Sequence, residues 1–409
     1  MTAQGPPGTV AAGPPGSAKE PRRAVPQAGA PPGLSGAVGR ITGSGIRAVA
    51  NAAWRVPGAI RLELGEPDFA TPPHIVEAAY TATRGGATRY APTAGIPELR
   101  EALAAKVGTV NGVAAAPEEV FVSCGAVEGL YAVYRALLDE GDEILVPDPG
   151  WPNFTNLAHL AGARPVGYRL LPSDGYLPDL ERLDRSVTAR TRAVLVNSPA
   201  NPLGTVWPGT TLAAVAEWAA RHGIWVIADE CYDQLWLDEP SRSMAALAPD
   251  APVVSVFSFS KTYAMTGWRV GYVVAGRPLA ERIARVQETA VSCVSTPAQH
   301  AALAALRGPQ EPVEEMRAAY RARRDLALAV AQEVGLPALR PEGAFYLWLD
   351  VGGRPSAELA MDLLRTRGVA VAPGAAFGPG GEGAVRLSLA AAPEAIEEGL
   401  RRLAAHLSS

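Results

Sequence analysis

Short apolar runs that do not alternate with polar residues recur along the chain, at Val120–Ser123, Glu143–Val146, Ala193–Asn197, Trp225–Ala228, Val253–Phe257 and Gly271–Val274. A strand with one wet face alternates apolar and polar residues, whereas a strand covered on both faces reads as a continuous apolar run. Helical patterns separate these runs, over Ile75–Thr83, Ile96–Val107, Val127–Leu138, Thr211–His222 and Leu279–Val291. Pro97 falls in the first turn of the second helix, where a missing N–H costs no hydrogen bond. Parallel neighbours need a long crossover, usually a helix. The alternation therefore predicts an α/β fold, with a large domain built on a mainly parallel sheet covered by helices.

The pattern changes beyond residue 305. A long charged helix over Val313–Val334 precedes a strand at Ala344–Leu349 and a helix at Ser356–Arg367. Strands at Val369–Val371 and Ala384–Leu389 follow, then a last helix at Pro393–His406. This reads as a smaller α+β domain. At the other end, residues 1–36 hold 7 Gly and 8 Pro and almost no large apolar side chains. Such a segment buries too little surface to offset its ordering entropy and is expected to be disordered. Ordered structure is expected from about Ile41, with a helix over Ile46–Ala53. The expected division is a tail at 1–36, an arm at 37–65 that joins the small domain, a large domain at 66–305 and a small domain at 306–409.

Lys plus Arg is 37 and Asp plus Glu is 41, a formal net charge of −4. That balance argues against a nucleic-acid binder. No run of about eighteen apolar residues is free of charge, so no membrane-spanning helix is expected. Cys124, Cys231 and Cys293 offer neither a disulfide framework nor a metal-ligand spacing. No basic segment followed by an apolar one opens the chain. A reducing cytoplasm is the expected location, and no metal is expected.

In a sheet of this kind, sites form at the carboxyl ends of the strands. Unusual polar residues stand at several of these ends. Cys124-Gly125-Ala126-Val127 joins a strand to a helix, whose first N–H groups would face an anion. Asn197 to Asn201, Asp229-Glu230-Cys231-Tyr232 and Ser258-Phe259-Ser260-Lys261 follow three further strands. Each alone is most often a simple turn; their order and shared placement carry the argument. Lys is rare: Lys19, Lys106 and Lys261 are set against 34 Arg. A lysine at a strand end is ordinarily a surface residue. Here Arg serves the surface, and a retained Lys points to chemistry that Arg cannot do, such as Schiff-base formation by a desolvated amine.

The segment from Ser258 to Tyr272, with Lys261 and Arg269 inside it, resembles the lysine signature of class I/II pyridoxal-phosphate-dependent aminotransferases of fold type I. Further matches stand in family order: Gly65-Glu66-Pro67-Asp68-Phe69, Tyr90 to Arg100, Asn197 to Gly204, Asp229 to Tyr232 and Arg386-Leu387-Ser388. The similarity covers roughly residues 40–409.

The resemblance implies specific roles. Lys261 would hold pyridoxal 5'-phosphate as a Schiff base and later shuttle the substrate proton. Asp229 would pair with the pyridinium nitrogen, and Tyr232 and Asn201 with the ring oxygen O3′. Ser258, Arg269 and the backbone N–H groups of Gly125, Ala126 and Val127 would cradle the phosphate. Many relatives carry Lys, Ser or Thr where Val127 stands, so only the backbone contact carries over there. Trp151 would stack on the ring, and Tyr90 would reach the phosphate of a neighbouring subunit in a homodimer. Arg386 would grip the substrate α-carboxylate, helped by Asn201, Trp151 and the N–H of Gly65. The implied partners are an L-amino acid and a 2-oxo acid. The same motifs would serve a racemase, β-lyase, oxidase or cyclopropane-forming synthase. A non-catalytic amine sensor would carry a DNA-binding domain ahead of this fold, and residues 1–40 lack the helical pattern for one. At least one of the bonds Asp148–Pro149 and Asn201–Pro202 is expected to be cis.

Overall fold

Seven strands form the central sheet: β1 (Val120–Ser123), β2 (Glu143–Asp148), β3 (Arg164–Arg169), β4 (Thr191–Asn197), β5 (Trp225–Asp229), β6 (Val253–Ser258) and β7 (Gly271–Val274). Their order is β1-β7-β6-β5-β4-β2-β3. Neighbours run parallel, except that β7 is antiparallel to both β6 and β1. The structure is a computed structural model and describes Thr2, residues 35–41 and residues 43–408.

β4 explains the unalternated runs. Ala193 and Leu195 enter one core layer, with Leu130 and Val133 of the helix Gly125–Leu137. Val194 and Val196 enter the opposite layer, with Val215 and Trp218 of the helix Gly209–His222. All four strand side chains are buried. Burying each of the Val and Leu side chains contributes about 1.5–3 kcal/mol, so both faces must be apolar. β3 was not visible as a strand. It lies at the sheet edge, pairs only with β2, and reads Arg164-Pro165-Val166-Gly167-Tyr168-Arg169. Pro and Gly are tolerated there because an edge strand has an unused hydrogen-bonding side.

The second sheet is antiparallel, in the order Ala372–Pro373, Ala384–Ser388, Tyr346–Asp350, Ala338–Leu339. The helices Glu311–Glu333, Ser356–Arg367 and Pro393–Leu407 accompany it. Two expected strands are corrected here. The one expected from Ala344 begins at Tyr346, since Ala344 has a φ of 56° and cannot extend the strand. The one expected at Val369–Val371 is split: Val369–Ala370 pairs in parallel with Ile60–Arg61, and Ala372–Pro373 joins the antiparallel sheet.

The expected start near Ile41 is also corrected. A short helix spans Gly36–Gly39, and the next spans Gly45–Ala53, capped by the Ser44 hydroxyl accepting from the Arg47 N–H. Apart from Thr2, Ser35 and Gly36, the expectation of a disordered tail at 1–36 lies outside the described residues. Among the described residues, no helix is long and apolar enough to cross a membrane.

Candidate active site

The carboxyl ends of β4, β5 and β6 border a cavity of about 600 Å³. β7 contributes because it runs the other way. Gly271, at its start, pairs with Ser258 of β6 and Ser123 of β1, both at strand ends. Arg269, two residues before Gly271, therefore arrives at the same edge as Asp229 and Lys261. Of the residues singled out in the sequence, Ala126, Val127, Trp151, Asn201, Asp229 and Tyr232 line this cavity. So do Ser258, Lys261, Arg269, Gly65 and Arg386. Gly125 lies just behind, buried against Arg269. Tyr90 does not line the cavity and is 89% exposed.

Lys261 follows β6 in a short helical turn, Phe259–Thr262. Its Nζ donates to the Gly65 carbonyl at 2.5 Å. Burial pushes the amine down to about 8, so a useful fraction is uncharged and nucleophilic near neutral pH. Asp229 ends β5 and is 4% exposed. Its Oδ1 accepts from the Cys231 N–H at 3.1 Å. Burial lifts its carboxyl to about 6. A buried carboxylate partnered only by the neutral N–H and thiol of Cys231 lacks a cationic partner.

Arg386 is 2% exposed, within the strand Ala384–Ser388. Its Nη1 donates to Asn201 Oδ1 at 2.8 Å and its Nη2 to the Glu63 carbonyl at 2.7 Å. Both acceptors are uncharged, and Nε is buried without a partner. The guanidinium lies 4.2 Å from the Tyr346 ring centre. A guanidinium only donates, so the amide oxygen of Asn201 faces Arg386 and its NH₂ remains for another acceptor. The Asn201 N–H donates to Asn197 Oδ1 at 2.8 Å, fixing the turn after β4. The hydroxyls of Tyr232 and Tyr346 meet at 2.8 Å. The bonds Asp148–Pro149, Ser198–Pro199 and Asn201–Pro202 are all cis.

At the anion end, the helix Gly125–Leu137 points its first N–H groups at the cavity edge. Gly125 has a φ of 73°, and a Cβ there would lie 2.4 Å from Arg269 Nη2. Arg269 itself has a φ of 54° and is held by the carbonyls of Thr266 and Cys124 at 3.0 and 3.3 Å. Ser258 Oγ accepts from the Ser260 N–H at 3.1 Å, which leaves its proton to donate.

Sequence reasoning missed Tyr346 and Asn153 as lining residues. Tyr346 had one faint signal: a built Cβ on Gly65 would lie 2.1 Å from its hydroxyl, so the glycine of Gly65-Glu66-Pro67 is required by a residue far along the chain. Among the described residues, no cluster of His, Cys, Asp and Glu could hold a metal ion.

The fold and this cavity define a class: the chain belongs to the family described as aminotransferase class I and II, which matches residues 57–403. Its fold is fold type I, the aspartate aminotransferase architecture. It is 41% identical over 349 residues to the aspartate/prephenate aminotransferase of Thermus thermophilus, covering 84% of this chain and 90% of that one. It is 42% identical over 352 residues to a probable aspartate/prephenate aminotransferase of Aquifex aeolicus, covering 83% and 88%. Among solved structures, the Thermus thermophilus aspartate aminotransferase with maleate has a TM-score of 0.88 at 39% identity, covering 92% of this chain and all of that one. The chain is accordingly an aminotransferase, moving an amino group between an amino acid and a 2-oxo acid.

Proposed function

We propose that the transfer depends on pyridoxal 5'-phosphate held in this cavity by the residues described above. The observation that carries the reading is one of unmatched chemistry: an amine of lowered pKa, a buried carboxyl without a cation and a buried guanidinium without an anion share one cavity. Each fits one part of the cofactor–substrate pair. Asp229 suits a pyridinium N–H, which would draw its pKa back down and keep the ring protonated. Arg386 suits a substrate α-carboxylate, gripped as a planar fork. The first N–H groups after β1, Ser258 and Arg269 suit a phosphate.

When bound, the cofactor supplies an electron sink for the bond broken at the substrate Cα. The chain's own work is positional and protonic. The Lys261 amine would hold the cofactor at its carbonyl carbon and would serve as the carrier of the substrate proton. The NH₂ of Asn201 and the Tyr232 hydroxyl would donate to the ring oxygen. Burial keeps the Tyr232 phenol protonated for that purpose. Trp151, which lines the cavity, would cover one ring face.

The large unit at 66–305 and the small unit at 306–409 are supported by the two sheets, whose strands fall separately within those ranges. The arm at 37–65 is supported as part of the small unit by the pairing of Ile60–Arg61 with Val369–Ala370. A homodimer is supported by Tyr90, a large aromatic exposed on this chain. A second hollow of about 690 Å³ adjoins the first, sharing Arg269 and Glu66 with it and extending to Cys124 and Pro297. That hollow would be the place for a partner's tyrosine. A reducing cytoplasm accords with three free cysteines.

The test is to load the purified protein with pyridoxal 5'-phosphate and follow amino exchange between L-amino acids and pyruvate, 2-oxoglutarate or oxaloacetate. A new 2-oxo acid in step with a new amino acid is expected. Racemisation or elimination without exchange would overturn the reading.

A further inference from the structure

We propose that Tyr346 is a positioning residue for the transfer: its hydroxyl donates to the Tyr232 oxygen and so commits the Tyr232 proton to the cofactor ring oxygen. Tyr232 donates to that ring oxygen in the reading above, on which this inference rests. The two hydroxyls meet at 2.8 Å, and either one can be the donor while the cavity is empty. Each phenol has a single proton to give and lone pairs to receive another. Once Tyr232 spends its proton on the ring, only Tyr346 is left to donate the bond between the phenols. Among the described residues, the Tyr346 hydroxyl has no other hydrogen-bond partner, so nothing competes for its proton.

The hydroxyl is delivered with little freedom. Tyr346 opens the strand Tyr346–Asp350 and is buried. Its ring meets the Tyr232 ring edge-on, with centroids 5.9 Å apart, and Phe345 packs against both. The Arg386 guanidinium covers its face, and Gly65, which has no Cβ, leaves room for its oxygen. A donor on the Tyr232 oxygen makes the Tyr232 proton a stronger donor in turn, because hydrogen bonds in a chain polarise one another. A firm donor steadies negative charge on the ring oxygen, and the bound cofactor then releases its proton at a lower pH. Other titratable and charged groups face the pair: Cys231 beside Tyr232, Arg386 from the strand Ala384–Ser388 and Tyr320 from the helix Glu311–Glu333. Lys261 and Asp229 line the same cavity. Tyr346→Phe leaves all of them in place and keeps the ring against Arg386, so it isolates the one hydroxyl.

The experiment uses the full chain loaded with pyridoxal 5'-phosphate, as wild type, Tyr346→Phe, Tyr232→Phe and the double variant, with melting temperature as the folding control. The absorbance of the bound cofactor is titrated with pH in the absence of substrate. The midpoint for Tyr346→Phe is expected about 0.4–1 pH unit above that of wild type, the scale of one neutral hydrogen bond. Tyr232→Phe is expected to raise it further. Adding Tyr346→Phe to Tyr232→Phe is expected to change nothing more, since Tyr346 acts through the Tyr232 hydroxyl. An unmoved midpoint in Tyr346→Phe, whatever its melting temperature, would leave Tyr346 a packing role and overturn the assignment. A further rise in the double variant would also overturn it, by showing that Tyr346 reaches the ring without Tyr232. A wild type that takes up no cofactor has no absorbance to titrate; that outcome would overturn the reading beneath the inference, and the inference with it.

Discussion

The buried carboxyl of Asp229 makes the cofactor-free protein sensitive to pH. Burial lifts it from an ordinary 3.8 to about 6, so the folded chain holds this proton more tightly than the unfolded chain. Below the unfolded value both states are protonated and nothing is lost. As pH rises through the folded value, the folded state must bear an ionised buried group, and stability falls by about 1–3 kcal/mol. Asp229→Asn removes that charge. The cofactor-free variant is expected to be more stable than wild type at pH 8 by about that amount, with the gain gone near pH 4, as urea unfolding would measure. An equal stability at both pH values would show that the carboxyl is not held against its charge. The same variant, once loaded, is expected to turn over about 10³-fold more slowly, because a neutral amide cannot hold the ring nitrogen protonated. Lys261→Ala is expected to lose at least about 10³-fold, since it removes both nucleophile and proton carrier. Borohydride reduction of the loaded wild type should fix the cofactor to the Lys261 peptide; labelling at Lys106 would move the site elsewhere. These side chains were legible because each directly follows an apolar run. Tyr346 was not, because a strand remote in sequence delivers it to the cavity.

At the scale of elements, the turn from β1 into the helix Gly125–Leu137 shows what the sequence could and could not say. A small-residue turn before an apolar helix was readable. The reversed direction of β7 was not, because an apolar run carries no arrow. Yet that reversal is what seats Arg269 against Gly125. Gly125→Ala tests the contact. Its positive φ costs a Cβ-bearing residue about 1–2 kcal/mol. Its Cβ would also lie 2.4 Å from Arg269 Nη2 and displace the guanidinium. The Kd for pyridoxal 5'-phosphate, followed by absorbance, is expected to rise at least about 10-fold, as for a lost charge-assisted hydrogen bond. Gly141→Ala is the matched control: its φ is 83°, but a Cβ there meets nothing within 4 Å. It should lower stability without moving the Kd; equal effects would mean that backbone strain alone is at work. Other elements escaped the sequence for reasons of composition. The helix Thr296–Arg307 has five alanines among its twelve residues, which favour helix but mark no face clearly, and β3 looks polar because it is an edge.

For the whole molecule, the proposal turns on a residue that this chain holds outward. Tyr90 is 89% exposed and lines neither hollow that reaches Arg269. Leaving a tyrosine ring in water forfeits the burial that aromatic residues otherwise contribute. A two-fold dimer would bury it reciprocally, each copy offering Tyr90 to the Arg269 side of the other. The two requirements then fall on different chains: Lys261 from one and Tyr90 from its neighbour complete each site. Two defective variants can therefore repair each other. Tyr90→Ala and Lys261→Ala are expected to be impaired and inactive, respectively, when separate. Dissociated, mixed in equal amounts and reassociated, half of the dimers are hybrids, and each hybrid has one site with both residues intact. Activity should recover to roughly a quarter of wild type, above the residual rate of Tyr90→Ala alone. Recovery should follow the appearance of hybrids in native mass spectrometry. A mixture no more active than its parts, or a fully active monomer in sedimentation, would mean that each chain completes its own site and that the exposed ring of Tyr90 serves something else.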